Sequence, residues 1–436
     1  MAPSIPPCGF HRVGISHLAR HRTGFTLIEL LVVLAIVAAL AVVVIMILQP
    51  AELFKQSRDT IRLSDLDTLN KALGLFQADL NSSSLGAAST TYVSIADPTA
   101  TSTAGDHCEG LGLPTLPSGW SYHCAATSTV KHVDGTGWIP VNFTAASTGS
   151  PLGSIPTDPT NTSSSRLYYT YTTDGSKYEL TAAMESAKYK LGGSNDVISG
   201  DGGTLSTVYE KGTPGLEPLD YGDSSLIRYW TFDEGSGSTV YDYSGSNASG
   251  TIMSGVTWVT GKVGRTALSF PGTNSAGTNS VLTSPITGSL SDFTINVWAD
   301  PSVSLTSGGT YSLVESQNSP YTAFRVSGGV LALRVDSWGG SGSAYYALSS
   351  GYQNQWVMFT AVWNSSAQTI QFYVNGVLGN TTTGITSLAQ NLNWPTSVAQ
   401  YTNTNTTAFN GILDDLRVYN RALSAAEVAA MYAGGK

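Results

Sequence analysis

The stretch RTGFTLIELLVVLAIVAALAVVVIMIL, residues 22–48, reads as one helix that carries a single carboxylate, Glu29, near its start. From Phe25 to Leu48 only Thr26 and Glu29 are polar. As a helix this run is roughly 36 Å long, enough to cross the hydrocarbon core of a bilayer. A carboxylate at bilayer depth costs about 2.5–3.5 kcal/mol even on lenient insertion scales, so Glu29 needs a partner.

The flanks orient the run. Arg12, Arg20 and Arg22 precede it with three histidines and no acidic residue. That asymmetry keeps the N-terminus cytoplasmic and sends the remainder outward. A secretory signal has a shorter apolar core followed by a small-residue cleavage site, and neither is seen here. A retained anchor is therefore expected. The chain has 436 residues, enough for two or three domains. Charged residues make up 12%, about half the usual share. Gly, Ser, Thr and Asn take their place, as in exported β-rich proteins with polar loops. A net charge of -9 argues against a nucleic-acid-binding surface.

The residues GFTLIELLVVLAIVAAL, 24–40, closely resemble the N-terminus of type IV pilins and of type II secretion pseudopilins. The resemblance implies cleavage by a prepilin peptidase between Gly24 and Phe25, N-methylation of Phe25, and assembly into a filament with other pilin or pseudopilin subunits on an inner-membrane platform. It makes Glu29 the fifth residue of the mature chain. The new ammonium of Phe25 can then meet the Glu29 carboxylate of a neighbouring subunit. Two buried charges that pair cost far less than one alone, so the carboxylate favours assembly and penalises misaligned neighbours. The plainer alternative is a Glu29 that snorkels to the interface. A leader ending at Gly24 is long for this family.

Beyond the span, Leu66, Leu69, Leu73, Phe76 and Leu80 recur in steps of three and four and form one apolar helical stripe. Arg58, Asp59, Asp65, Asp67 and Lys71 fall off it. Pro50 predicts a kink or a local break. Of three cysteines, Cys8 lies in the leader, leaving Cys108 and Cys124. A disulfide between them would close a loop of about 15 residues, contributing about 3 kcal/mol. Zinc is the alternative, with His107, His123 and His132 nearby. Trp138, Ile139 and Val141 are expected in a core, and Tyr169, Tyr171, Tyr178 and Leu180 on strands flanking the Asp174-Gly175 turn. In some secretion pseudopilins the loop at Asp158-Pro159 binds calcium, but few acidic residues surround it here. The Gly-, Ser- and Asp-rich text of 191–225 reads as a final strand or tail and then a linker.

From Leu226 to Lys436 short strand candidates alternate with turns, Asn375-Gly376 being the strongest turn signal. Such a pattern implies a two-sheet sandwich or jelly roll. The pieces YWTFDEGSGSTVYDYSG, GKVGRTALSF, FTINVWAD, YVNGVL and DDLRVYNRALSAAEV resemble laminin-G-like, concanavalin A-like jelly rolls. Ser424 and Glu427 form a capping box for a terminal helix, with Leu423 as its staple. Related sandwiches sometimes bind calcium between the first and last strands. Asp233 and Asp414, with Asp242, are the positions that could do so here; solvated or turn-forming aspartates are the alternative. Glucanases of this fold use alternating carboxylates on one strand, and no such set occurs. Nor is a Ser-His-Asp set available, because no histidine follows His132. A non-enzymatic role is expected. Trp338, Tyr345, Tyr346 and Trp394 could stack on sugars or belong to the core.

The expected fold is an α+β pilin head with a long N-terminal helix and a small antiparallel sheet, followed by an all-β jelly-roll sandwich. The expected divisions are a leader at 1–24, a transmembrane part at 25–48, a head at 49–190, a tail and linker at 191–225, and a laminin-G-like domain at 226–436. The expected role is a single-pass, outward-facing minor or tip subunit that displays a module for glycan or protein ligands. The alternatives are a purely structural pseudopilin and, disfavoured by the missing carboxylates, a carbohydrate-active enzyme.

Overall fold

The computed structural model describes residues 27–79, 85–100, 108, 110–117, 119–272, 279–286, 290–316, 321–336, 343–385, 397–400 and 407–435, with backbone only at 42–48, 321, 335 and 336. Gly24, Phe25, Leu80, His107, Trp338 and Trp394 lie outside them. The chain divides into two compact units, 1–53 and 54–436.

In the first unit, helix α1 spans Leu27–Leu48 and exposes its apolar side chains: Leu27 is 83% and Leu34 60% accessible. Its side chains are described as far as Ala41, and among the described residues no helix is long and apolar enough to cross a membrane. Gln49 sits at φ 40°, outside helical geometry. Pro50, lacking an amide hydrogen, opens helix α2, Pro50–Asp79. The expected interruption is therefore a clean break.

In the second unit, Leu66, Leu69, Leu73 and Phe76 of α2 are buried, at 0–3% exposure. Burying each such side chain contributes about 1.5–3 kcal/mol. They pack on a five-stranded sheet of β1 (Thr90–Asp97), β2 (Ser121–Ala126), β3 (Tyr169–Thr173), β4 (Tyr178–Ala183) and β5 (Val208–Gly212), in the order β2-β1-β3-β4-β5. β1 and β2 run parallel and the other pairs antiparallel, so this sheet is mixed where a purely antiparallel one was expected. β5 lies inside 191–225, the stretch read as a final strand or tail and then a linker: its Val208 is buried and its amides complete the edge of β4. Trp138, Ile139, Val141, Tyr169 and Tyr171 join Leu180 in the core on the α2 side.

The opposite face of the sheet is also covered. Leu205, Leu219 and Tyr221 pack there with Val93, Cys124 and Tyr168, and Leu111, Leu113 and Leu116 close the margin. Cys108 and Cys124 form a disulfide, with Cα atoms 5.4 Å apart and a sequence separation of 16. Replacing both by serine is expected to lower the unfolding free energy by about 3 kcal/mol, read as a shift of the urea midpoint at unchanged slope.

The remainder is a jelly-roll-like sandwich of two eight-stranded sheets. One contains β6 (Leu226–Trp230), β9 (Thr257–Thr260), β10 (Thr266–Pro271), β12 (Phe293–Pro301), β17 (Val357–Asn364), β18 (Thr369–Val374), β19 (Val377–Thr383) and β21 (Asn410–Tyr419). The other contains β7 (Thr239–Val240), β8 (Gly250–Ile252), β11 (Val281–Leu282), β13 (Thr310–Glu315), β14 (Tyr321–Ser327), β15 (Val330–Asp336), β16 (Ser343–Ala347) and β20 (Ser397–Val398). Inward residues such as Trp230, Phe293, Val297, Phe324, Leu333, Phe359 and Leu413 fill the space between them. Helix α3, Ala425–Gly434, seals the outer face of the first sheet with Val428 and Met431 against Trp298, Met358 and Tyr419.

Candidate functional site

The acidic residues expected to hold calcium sit around one turn of the sandwich. β21 is bulged opposite β12, where the register shifts between Asn296 and Trp298, and Asp415 adopts φ 51°. The bulge brings Asp414 beside the 261–266 turn. Asp414 Oδ2 accepts the amides of Lys262 and Val263 at 2.7 and 2.9 Å. Asp233 Oδ1 accepts those of Arg265 and Thr266 at 2.5 and 2.8 Å. Two carboxylates thus clamp one turn from both sides. Burial raises the pKa of both, and Asp415 adds repulsion. Asp415 itself holds Arg417, with Nη2 to Oδ1 at 2.8 Å, and the Arg417 guanidinium lies 4.5 Å from the ring centroid of Tyr229.

The two carboxylates that meet here are already engaged by backbone amides. Calcium takes six to eight oxygens; here Asp414 Oδ2 and Asp233 Oδ1 face amide hydrogens, which repel a cation, while Asp414 Oδ1 is buried without a hydrogen-bond partner among the described residues. A Cβ on Gly264 would lie 1.9 Å from Asp233 Oδ2, so the turn itself fills that side of the carboxylate. Asp242 is engaged elsewhere, accepting the amides of Tyr229, Ser244 and Ala248, each at 3.0 Å. Among the described residues no group of three or more His, Cys, Asp or Glu is placed to hold a metal ion. Backbone amides engage all three aspartates, which is the turn-forming alternative that the sequence left open beside calcium.

Of the expected aromatic residues, Tyr345 is 56% exposed on the edge strand β16, while Tyr346 packs against Gly379 of β19. Val377 and Leu378 of β19 are also exposed, so both sheets end in strands with apolar side chains in solvent. Glu29 lies on α1, in its first turn.

The sequence reading missed the junction of sheet and sandwich. Leu191 packs on the cluster under α3, and a Cβ on Gly192 would come within 2.6 Å of the Glu427 nitrogen. Arg421 forks between Asp223 and Glu427, each at 2.7 Å. A cavity of about 390 Å³ beside this fork is lined by Arg166, Lys190, Ser206, Asp223, Tyr419 and Arg421. Pairing across almost 200 residues of sequence leaves no local signal.

Family models match two parts of the chain. Residues 19–45 match the prokaryotic N-terminal methylation motif, and residues 274–429 match the concanavalin A-like lectin/glucanases superfamily. No curated protein matches the chain. Solved structures are similar to the chain only at low identity. The botulinum neurotoxin serotype G binding domain is 19% identical at a TM-score of 0.39, covering 48% of this chain and 50% of that one. The binding domain of paraclostridial mosquitocidal protein 1 is 19% identical at 0.39, covering 48% and 52%. The botulinum neurotoxin serotype D ligand binding domain in complex with N-acetylneuraminic acid is 17% identical at 0.38, covering 48% and 50%. The chain spans about half the length of these structures. One polypeptide thus joins a prokaryotic N-terminal methylation motif to a concanavalin A-like domain.

Proposed function

We propose that this chain is a pilin-like or pseudopilin-like subunit, anchored in the membrane by residues 25–48, that carries a lectin-like sandwich outside it. The observation that supports this most is the match of residues 19–45 to the methylation motif, a stretch in which Gly24-Phe25 and Glu29 head an apolar run. In this reading residues 1–24 are a leader removed by a prepilin peptidase, and the helix then enters a filament above an inner-membrane platform. The ammonium of Phe25 pairs with Glu29 of a neighbour, and the carboxylate that is costly alone becomes the device that sets register. The head at 49–190, the segment 191–225 and the sandwich at 226–436 follow outside the membrane. A passenger larger than the head is hard to repeat densely along a thin filament, so the subunit is minor or sits at the tip. The sandwich then meets glycan or protein ligands, and a non-enzymatic role follows.

Mass spectrometry of the native polypeptide tests this. A mature chain beginning at N-methylated Phe25 is expected, and Gly24→Val should leave residues 1–24 attached. Glu29→Ala should be processed yet fail to enter filaments. A native chain with its first 24 residues intact would overturn the reading. One observation favours a structural alternative: Arg421 with Asp223, and Gly192 against Glu427, fasten the sandwich to the 191–225 segment, whose β5 pairs with β4 of the head, as a spacer would require. A glycan array probed with the full chain separates the two roles, since a spacer binds none.

A further inference from the structure

A second cavity, of about 260 Å³, lies where the disulfide-bounded loop and the 215–218 segment meet the beginning of the sandwich. Trp120, Glu217, Glu234, Tyr241 and Tyr243 line it. Glu234 follows β6, and its Oε1 accepts the Tyr241 amide at 2.7 Å. Its Oε2 is buried and has no hydrogen-bond partner among the described residues. Burial pushes this carboxyl up to about 7, and the adjacent Asp233 adds repulsion. Across the cavity Glu217 is committed to Thr170 and Thr172. Among the described residues that line the cavity there is no Lys, Arg or His.

Three features narrow what such a cavity accepts. A buried carboxylate oxygen without a partner is destabilising unless a donor or a cation reaches it. Aromatic faces attract cations within about 6 Å of the ring. The volume falls below the 300–1,000 Å³ typical of drug-sized ligands, which suits a compact group and not an oligosaccharide. A neutral sugar could donate to Glu234 but would leave its charge unbalanced. An ammonium group balances the charge and uses the ring faces together.

We propose that this cavity binds the ammonium group of a small organic cation, with Glu234 as counter-charge and Trp120, Tyr241 and Tyr243 as aromatic walls. The ligand would bridge Trp120 of the disulfide-bounded loop and Glu234 of the sandwich, and so brace one against the other. This site stands apart from the filament reading, and neither requires the other.

The test is a saturation-transfer NMR titration of the full chain, kept in polyoxyethylene detergent micelles that carry neither choline nor sugar. Tetramethylammonium chloride is the probe, tert-butanol its uncharged analogue of similar shape, and N-acetylglucosamine the sugar control. Saturable binding of tetramethylammonium alone is expected. Glu234→Gln, which keeps the shape, should weaken it about tenfold, and Trp120→Ala by a similar factor. Tyr345→Ala, on the distant edge strand, should leave it unchanged. Absence of saturable tetramethylammonium binding overturns the proposal. So does equal binding of tert-butanol, preferential binding of the sugar, or indifference to Glu234→Gln in a variant whose thermal midpoint is intact.

Discussion

Arg62→Met is expected to destabilise the helix–sheet unit by about 3–5 kcal/mol, among the largest effects of any single substitution in the chain. Arg62 projects from α2 and is fully buried. Its Nε and Nη2 donate to the two oxygens of Asp158 at 2.6 and 2.9 Å, and its Nη1 donates to Asp59 at 2.7 Å. The carboxylates are themselves committed. Asp59 accepts the amides of Glu185 and Ser186, and Asp158 those of Thr160 and Asn161. Methionine fills much of the volume but leaves two buried carboxylates without their cation. Lysine restores charge without the fork and should recover only part of the loss. Adding Asp158→Asn to Arg62→Met removes one orphaned charge and should recover stability relative to the single variant. Arg58, whose side chain is 34% exposed beside Glu185, is the contrast: Arg58→Ala should cost under about 1 kcal/mol. Urea midpoints of the four variants decide the matter, and equal losses for Arg58 and Arg62 would refute the argument.

The same network shows how far the sequence was legible. The stripe Leu66, Leu69, Leu73 and Phe76 reports its own burial, because helical period is a local property. So does the capping box: Ser424 Oγ accepts the Glu427 amide while Glu427 Oε2 takes the Ser424 amide. Asn375 and Gly376 turn at φ 52° and 76° between β18 and β19, as two residues that tolerate left-handed backbone should. Asp59, by contrast, lies off the apolar stripe and reads as solvent-facing, yet it is 0% exposed. Its burial depends on Arg62 one turn away and on Asp158 ninety-six residues beyond Arg62. The parallel pairing of β1 with β2 was invisible for a related reason: the strands' own residues do not encode their direction. At the candidate sites, carboxylates were found readily and their partners were not. Asp233, Asp242 and Asp414 could be read as calcium ligands or as turn formers, because backbone amides, their partners here, have no letter in the sequence.

Glu217→Gln is expected to flatten the pH dependence of stability between about pH 4.5 and 8. Glu217 is 4% exposed behind the sheet, where its Oε2 accepts the hydroxyls of Thr170 and Thr172 at 2.6 and 2.9 Å. Burial nevertheless pushes its carboxyl from 4.5 up to about 8, and Glu179 adds repulsion. The folded state therefore holds this proton more tightly than the unfolded one. Stability from the group is fully present below about pH 4.5 and is lost as pH rises through about 8. The loss is on the order of 3–5 kcal/mol for a group this buried. Glutamine keeps an acceptor for the threonines and carries no charge, so the variant should match the wild type at pH 5 and exceed it at pH 9. Asp201, raised to about 6, and Glu210, raised by burial and then by Glu179, leave a residual slope of the same sign in both proteins. Unfolding by urea at pH 5, 7 and 9 separates the contributions, and parallel wild-type and variant curves would exclude Glu217 as the proton holder. For a subunit displayed outside the membrane, as proposed above, the consequence is directional. External acidification tightens the sheet against its covering segment, and alkaline conditions loosen Leu216–Leu219 first, because the ionised carboxylate of Glu217 lies within that segment.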